Sequence, residues 1–271
     1  MTWWQALILG VVQGLTEFLP ISSSAHLVLV PHALGWSLDP DQAFIFDVLV
    51  QLGTLVAVLV YFRRDWVAMA RALWRARRSP GALTRDPQVR LLLAVALATV
   101  PAAVAGALFK ARIAAVFSAP RLVGGFLLFT AAWMAGGEWL GRSRRTLHDL
   151  TWRDALWIGA GQALALLPGV SRSGATIAAG MARDLQRPAA ARFSFLMAVP
   201  IMLGAGALAL RDWAALPASG EFGAALLVGF AAAVVSGYGA IRALLGFLAR
   251  HSLWPFVVYC AALGAWVWTH A

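Results

Sequence analysis

The sequence has one cysteine, one lysine, three glutamates and no Lys or Arg ahead of Arg63. Each shortage removes a class of function. A single thiol, Cys260, cannot close an intrachain disulfide, and no Cys/His spacing suits zinc. There is no Walker A loop for the lone Lys110 to serve, and no His-Glu-x-x-His. The net charge of +10 could suggest nucleic acid, but the basic residues are grouped. Eight arginines fall between Arg63 and Arg90 and eight between Arg142 and Arg192. Grouped arginines between apolar runs follow the positive-inside pattern and exclude a phosphate-backbone binder.

What is abundant is apolar surface. The chain is 61% hydrophobic and 13% charged, where soluble domains average roughly 45–50% and about 25%. No soluble fold of 271 residues could hide that excess, and the 13 tryptophans fit anchors at a membrane interface. The start, Met1 to Trp4, lacks a basic region and reads as a retained membrane segment.

Six runs come near the roughly 20 apolar residues needed to cross a bilayer: 43–62, 90–109, 121–140, 190–210, 222–247 and 253–269. Two other apolar regions, 3–36 and 154–182, are broken at Leu19 to Ser24 and at Pro168 to Gly174. Each leaves an arm of only about 13 residues, about 20 Å of helix, too short to cross. They are predicted to be re-entrant helical hairpins, with tips buried in protein or lining a polar cavity.

The broken regions look like copies. Gly10 to Gln13 parallels Gly159 to Gln162, and Leu19-Pro20 with Ser23 parallels Leu167-Pro168 with Ser171. Arg64-Asp65-Trp66 parallels Arg211-Asp212-Trp213. Each half, about 1–145 and 146–271, is then one hairpin followed by three spans, and an odd number of spans inverts the second copy. The expected fold is an all-α polytopic membrane protein in one domain, with six transmembrane helices and two re-entrant hairpins. Placing 63–89, 141–189 and 248–252 in the cytoplasm leaves only Lys110, Arg112, Arg121 and Arg211 outside. The first hairpin would then open outward and the second inward, their tips meeting near the middle of the membrane.

The two tips carry complementary chemistry. Glu17 lies inside an apolar arm, where an ionisable group is costly and faces a polar cavity or a partner. A structural glutamate bonded across helices is the competing reading. Ser22, Ser23, Ser24 and His26 follow, offering hydroxyl and acid/base groups in one hairpin. In the second tip Arg172 stands between Ser171 and Ser173, ahead of Gly174 and Thr176 at a helix start. Backbone N–H groups there and the arginine fork suit a phosphate. Acid plus hydroxyl facing arginine plus N–H favours phosphoryl transfer. His32, His148, His251 and His270 are scattered and read as interfacial.

The stretches QGLTEFLPISSSAH, Gln13 to His26, and PGVSRSGAT, Pro168 to Thr176, resemble the two signature motifs of the undecaprenyl-diphosphate phosphatase family of the bacitracin-resistance type. The likeness extends along the whole chain. It implies hydrolysis of the C55 isoprenoid pyrophosphate to its monophosphate, recycling the carrier lipid of cell-wall synthesis. It also implies a divalent cation such as Mg2+ or Ca2+, inverted repeats, and a site open to the outer side of the bacterial cytoplasmic membrane. Carried over by position, Glu17, Ser23, His26 and Arg172 become the catalytic candidates, with Glu17 also the metal ligand. Gln13, Ser22, Ser24, Ser171, Ser173, Gly174 and Thr176 become the substrate-binding candidates. Some members have Glu where this chain has Gln13, so a mechanism with two metal-binding glutamates does not transfer. The unrelated lipid phosphatases with Ser-Arg-x5-His fit poorly, because Ala178 stands at the histidine position. Membrane lipids are the expected surroundings, a homodimer is compatible with this plan, and the rival function is a lipid-phosphate transporter using the same site.

Overall fold

The structure, a computed structural model, describes residues 1–77, 85–117, 120–213 and 220–270. Among them the named elements are all helical: α1 (Trp3–Phe18), α2 (Ser23–Ala33), α3 (Pro40–Tyr61), α4 (Arg63–Ala76), α5 (Pro87–Phe117), α6 (Pro120–Leu140), α7 (Trp152–Leu164), α8 (Arg172–Ala182), α9 (Arg187–Trp213), α10 (Gly220–Leu248) and α11 (Trp254–His270). A 3-10 turn, Leu147–Asp149, precedes α7.

The short helices are set by their caps. Thr2 and Gln5 form a capping box at the start of α1, and Thr151 and Asp154 form one at α7. Ser171 caps α8 by accepting from Gly174 N–H. Between α1 and α2 the chain turns at Pro20 and enters α2 through Ser22, whose φ of +70° is left-handed. Such a conformation in a non-glycine residue is uncommon and marks a tightly constrained turn. The second break turns at Gly169 with φ +93°, which glycine adopts at no steric cost.

Among the described residues, four helical stretches are long and apolar enough to cross a membrane: Gln42–Tyr61, Pro87–Phe109, Arg187–Ala207 and Phe222–Leu248. They coincide with four of the expected spans. The other two, 121–140 and 253–269, also form helices, α6 and α11. Yet α11 has only 17 residues, and Glu138 with two glycine pairs dilutes α6. The basic stretch after Arg63, which the sequence places between apolar runs, forms the 14-residue helix α4. Its Ala72 and Ala76 pack on Val89, and Met69 joins the main core, because apolar groups at helical spacing reach one face.

Glycines let the short hairpins lie close to the long helices. α1 packs along α10 and α7 along α5. A Cβ on Gly10 would sit 2.3 Å from the Gly229 carbonyl oxygen, and one on Gly159 would sit 2.5 Å from that of Ala98. Gly10→Val is therefore expected to cost roughly 1–3 kcal/mol or more, read as a lowered midpoint of thermal unfolding in detergent. An unchanged midpoint would mean the α1–α10 contact is looser than described.

Candidate active site

The α1–α2 turn and the α7–α8 turn meet inside the bundle. Three contacts join them: Arg172 Nη2 donates to Glu17 Oε1 at 2.9 Å, Ser173 Oγ donates to the Leu19 carbonyl at 3.1 Å, and Gly169 N–H reaches Ser24 Oγ at 3.5 Å. Each turn is also held from behind. Cys260 Sγ on α11 bonds the Pro20 carbonyl, while Thr130 on α6 accepts from Ser171 N–H and Trp133 Nε1 donates to the Ala175 carbonyl.

Glu17 is the centre of the arrangement. Its Oε2 accepts from Ser23 Oγ at 2.6 Å and from Gln13 Nε2 at 3.1 Å, while Oε1 faces Arg172. The Glu17 side chain is 6% exposed and that of Arg172 14%, so the pair is little screened by solvent. Beside it opens a cavity of about 240 Å³. Glu17, Ser22, Ser23, Ser24, Ser171 and Arg172 line its polar side, and Ile201, Met202 and Ala205 of α9 its apolar side.

The remaining sequence candidates lie behind this lining. Gln13 is buried and bonds Glu17, while its Oε1 has no hydrogen-bond partner. His26 is committed at both ring nitrogens, with Nδ1 2.7 Å from the Ser22 carbonyl and Nε2 2.6 Å from Tyr259 Oη. A carbonyl only accepts, so Nδ1 carries a proton, and in the neutral ring Nε2 accepts from Tyr259. Ser173 is used on Leu19, and the Gly174 N–H is taken by Ser171 Oγ at 3.1 Å. Thr176 Oγ1 donates to the Arg172 carbonyl at 2.7 Å and pairs with Ser194 Oγ at 2.6 Å. The structure thus gives Ser173, Gly174 and Thr176 the work of shaping the tip rather than facing the cavity. The reason is geometric: a helix start on a buried, crossed turn consumes its own polar groups.

Thr16 and Gln51 also line the cavity, and Ser194 and Tyr259 brace it, although none of the four stands among the sequence candidates. Gln51 was findable, as an amide within the apolar run 43–62. Ser194 and Tyr259 had no local signal, because they meet their partners only through the fold.

A second acidic group holds the hairpin from outside the site. Asp154 at the start of α7 accepts from Arg145 Nη2 at 2.6 Å, from Arg183 Nε at 2.7 Å and from Thr151 Oγ1 at 2.7 Å. Burial pushes its pKa up, but the bonds from Arg145, Arg183 and Thr151 outweigh this and hold it well below the usual carboxylate range. Because Arg183 follows α8, the carboxylate pins both arms of the second hairpin together. Glu138 likewise ties α6 to Arg187 of α9 and to Leu253 N–H ahead of α11.

A family model for the bacitracin resistance protein BacA matches residues 6–266. The chain belongs to that family. Relatives named undecaprenyl-diphosphatase support the assignment along the full length. The one from Gemmatimonas aurantiaca is 46% identical over 268 residues, covering 97% of this chain and 96% of that protein. That from Rubrobacter xylanophilus is 46% identical over 264 residues, covering 97% and 96%. One from a Mycobacterium species is 44% identical over 266 residues, covering 97% and 95%. In this BacA-family chain both motifs lie at the crossed tips, and their charged members are in direct contact.

Proposed function

We propose that the chain is a membrane hydrolase that cleaves undecaprenyl pyrophosphate to undecaprenyl phosphate and inorganic phosphate. The carrying observation is that one carboxylate, Glu17, holds the Ser23 hydroxyl on one oxygen and Arg172 on the other at a cavity wall. The names of the full-length relatives supply the substrate. A pure anion carrier has no use for a carboxylate bonded to its serine.

In this reading the pyrophosphate head enters the cavity and competes with Glu17 for Arg172. Arg172 then holds non-bridging oxygens of the distal phosphate and follows their charge through the transition state. Ser23 Oγ attacks the distal phosphorus, its proton passes to Glu17, and the bridging P–O bond breaks to release undecaprenyl phosphate. Glu17 hands that proton to the departing undecaprenyl phosphate. Water then attacks the phosphoserine, its proton passes to Glu17 and on to Ser23 Oγ as the serine P–O bond breaks, and inorganic phosphate leaves. His26, held by Ser22 and Tyr259, fixes the turn that aims Ser23.

The residues present fit a hard divalent cation loosely. Glu17 is the carboxylate on the cavity, Gln13 Oε1 is an orphaned oxygen on its bonded neighbour, and no cluster of three acidic, His or Cys ligands occurs among the described residues. Mg2+ is commonly held by one or two carboxylates plus substrate phosphates, and Glu17 with Gln13 would serve that way. The ion would supply neutralisation of phosphate charge.

The finer architecture belongs to the same proposal: six crossing helices and two re-entrant hairpins, in inverted halves of about 1–145 and 146–271, in the bacterial inner membrane. The pairing of α1 with α10 and of α7 with α5 supports it, because these pairs exchange when the halves are swapped. The arginine clusters support a cytoplasmic side opposite the cavity mouth.

Detergent-purified protein is expected to release phosphate from a prenyl pyrophosphate, with loss on EDTA addition. Ser23→Ala is expected to lower the rate at least on the order of 10³-fold. An unchanged rate in that variant would transfer the attack to water. No release by well-folded wild type would transfer the site to lipid-phosphate transport.

A further inference from the structure

A second cavity, of about 660 Å³, lies where the start of α7 meets the start of α5, away from the crossed tips. Its polar end is formed by Arg90, Arg153 and Arg183, and no acidic residue lines it. Its other wall is apolar. Leu93, Ala94 and Leu97 follow Arg90 at three, four and seven residues along α5, so they continue from the guanidinium down one helix face. Arg90 lies near the start of the membrane-crossing stretch Pro87–Phe109, so the stripe runs from the interface into hydrocarbon. Trp152, exposed beside the cavity, has Arg153 stacked over its ring at 5.2 Å, an arrangement suited to the headgroup level.

The arginines have charge to spare. Arg183 gives Nε to Asp154, which is already met by Arg145, and its Nη groups have no partner among the described residues. Among the described residues Arg153 has its ring contact and no ion pair. Arg90 makes one long bond of 3.5 Å to the Leu150 carbonyl. Of the three guanidinium groups around this opening, Arg90 and Arg153 have no carboxylate partner among the described residues, and Arg183 shares Asp154 with Arg145.

We propose that this cavity binds one anionic phospholipid, its phosphate among Arg90, Arg153 and Arg183 and its first acyl carbons along Leu93, Ala94 and Leu97. Basic pockets between membrane helices recognise lipid headgroups in this way. Free phosphate would leave the apolar stripe unused. A zwitterionic head would bring an ammonium to three guanidinium groups with no acid to receive it. The bound lipid bridges α5 to both ends of the second hairpin, since Arg153 belongs to α7 and Arg183 follows α8. The inference depends on α5 crossing the membrane and not on the catalytic assignment.

The test is native mass spectrometry of the full chain in neutral detergent, offered equal amounts of phosphatidylglycerol, phosphatidylcholine and a polyprenyl phosphate. One phosphatidylglycerol should be retained per chain in preference to the other two. Arg90→Gln/Arg153→Gln should weaken that binding about twentyfold to thirtyfold, taking roughly 1 kcal/mol for each arginine. Leu97→Trp, which keeps every charge and fills the stripe, should also expel the lipid. Both variants should release phosphate at about the wild-type rate, which shows them folded. Equal binding of phosphatidylglycerol by wild type and the double variant would overturn the proposal. So would no preference over phosphatidylcholine, or preferential retention of the polyprenyl phosphate.

Discussion

Replacing Arg172 by alanine is expected to slow phosphate release on the order of 10²–10³-fold, the scale of losing one strong transition-state donor. The side chain contacts Glu17 and is the charged group that the second tip brings to the cavity. Its loss also leaves Glu17 without a counter-charge in a buried setting, which destabilises by about 3–5 kcal/mol in comparable pairs. The two effects separate by experiment. Thermal unfolding reports the lost ion pair, and the rate per folded molecule reports the lost donor. Arg172→Lys should recover much of the unfolding midpoint but only part of the rate, because a point charge cannot replace a planar fork on phosphate oxygens. A full rate in Arg172→Ala would remove the residue from the mechanism.

Glu17→Gln is expected to lower the rate on the order of 10²–10⁴-fold, the usual contribution of a positioned proton acceptor. The amide has the shape of the carboxylate and can still accept from Ser23, so the geometry of the turn should survive. What disappears is the capacity to take the serine proton and the charge that holds Arg172. Combining Glu17→Gln with Arg172→Ala should cost far less than the product of the single losses, since groups that act as one unit are strongly non-additive. Multiplicative losses would mean the two residues act independently, against the shared contact in the structure.

The sequence carried the site further than it carried the fold's details. Glu17 and Arg172 were legible because an ionisable group within an apolar segment is expensive and must have a use. Their contact rested on the repeat pattern, which set two broken segments tip to tip. By contrast, the roles of Ser173, Gly174 and Thr176 were not legible. A motif records which groups are polar but not which of them the turn itself consumes, and that depends on Leu19 and Ser194 arriving from elsewhere. His26 has the same history, since Tyr259 lies 233 residues away along the chain. Helix α4 is hard to read in the sequence for a different reason: its arginines make it polar on balance, and its buried face is only Met69, Ala72 and Ala76.

The distance along the chain between Glu17 and Arg172 also bears on how the protein is made. They are separated by 155 residues. At roughly 5–20 residues per second, about 8–30 s of translation pass between the two. Through that interval the acid has only neighbours from its own hairpin, Gln13 four residues before it and Ser23 six after. Both donate to Oε2, so Oε1 waits for the partner that comes last. A nascent chain halted before Arg172 therefore keeps a buried-type carboxylate without its cation, and the arrival of the second hairpin supplies the charge around which the first is arranged.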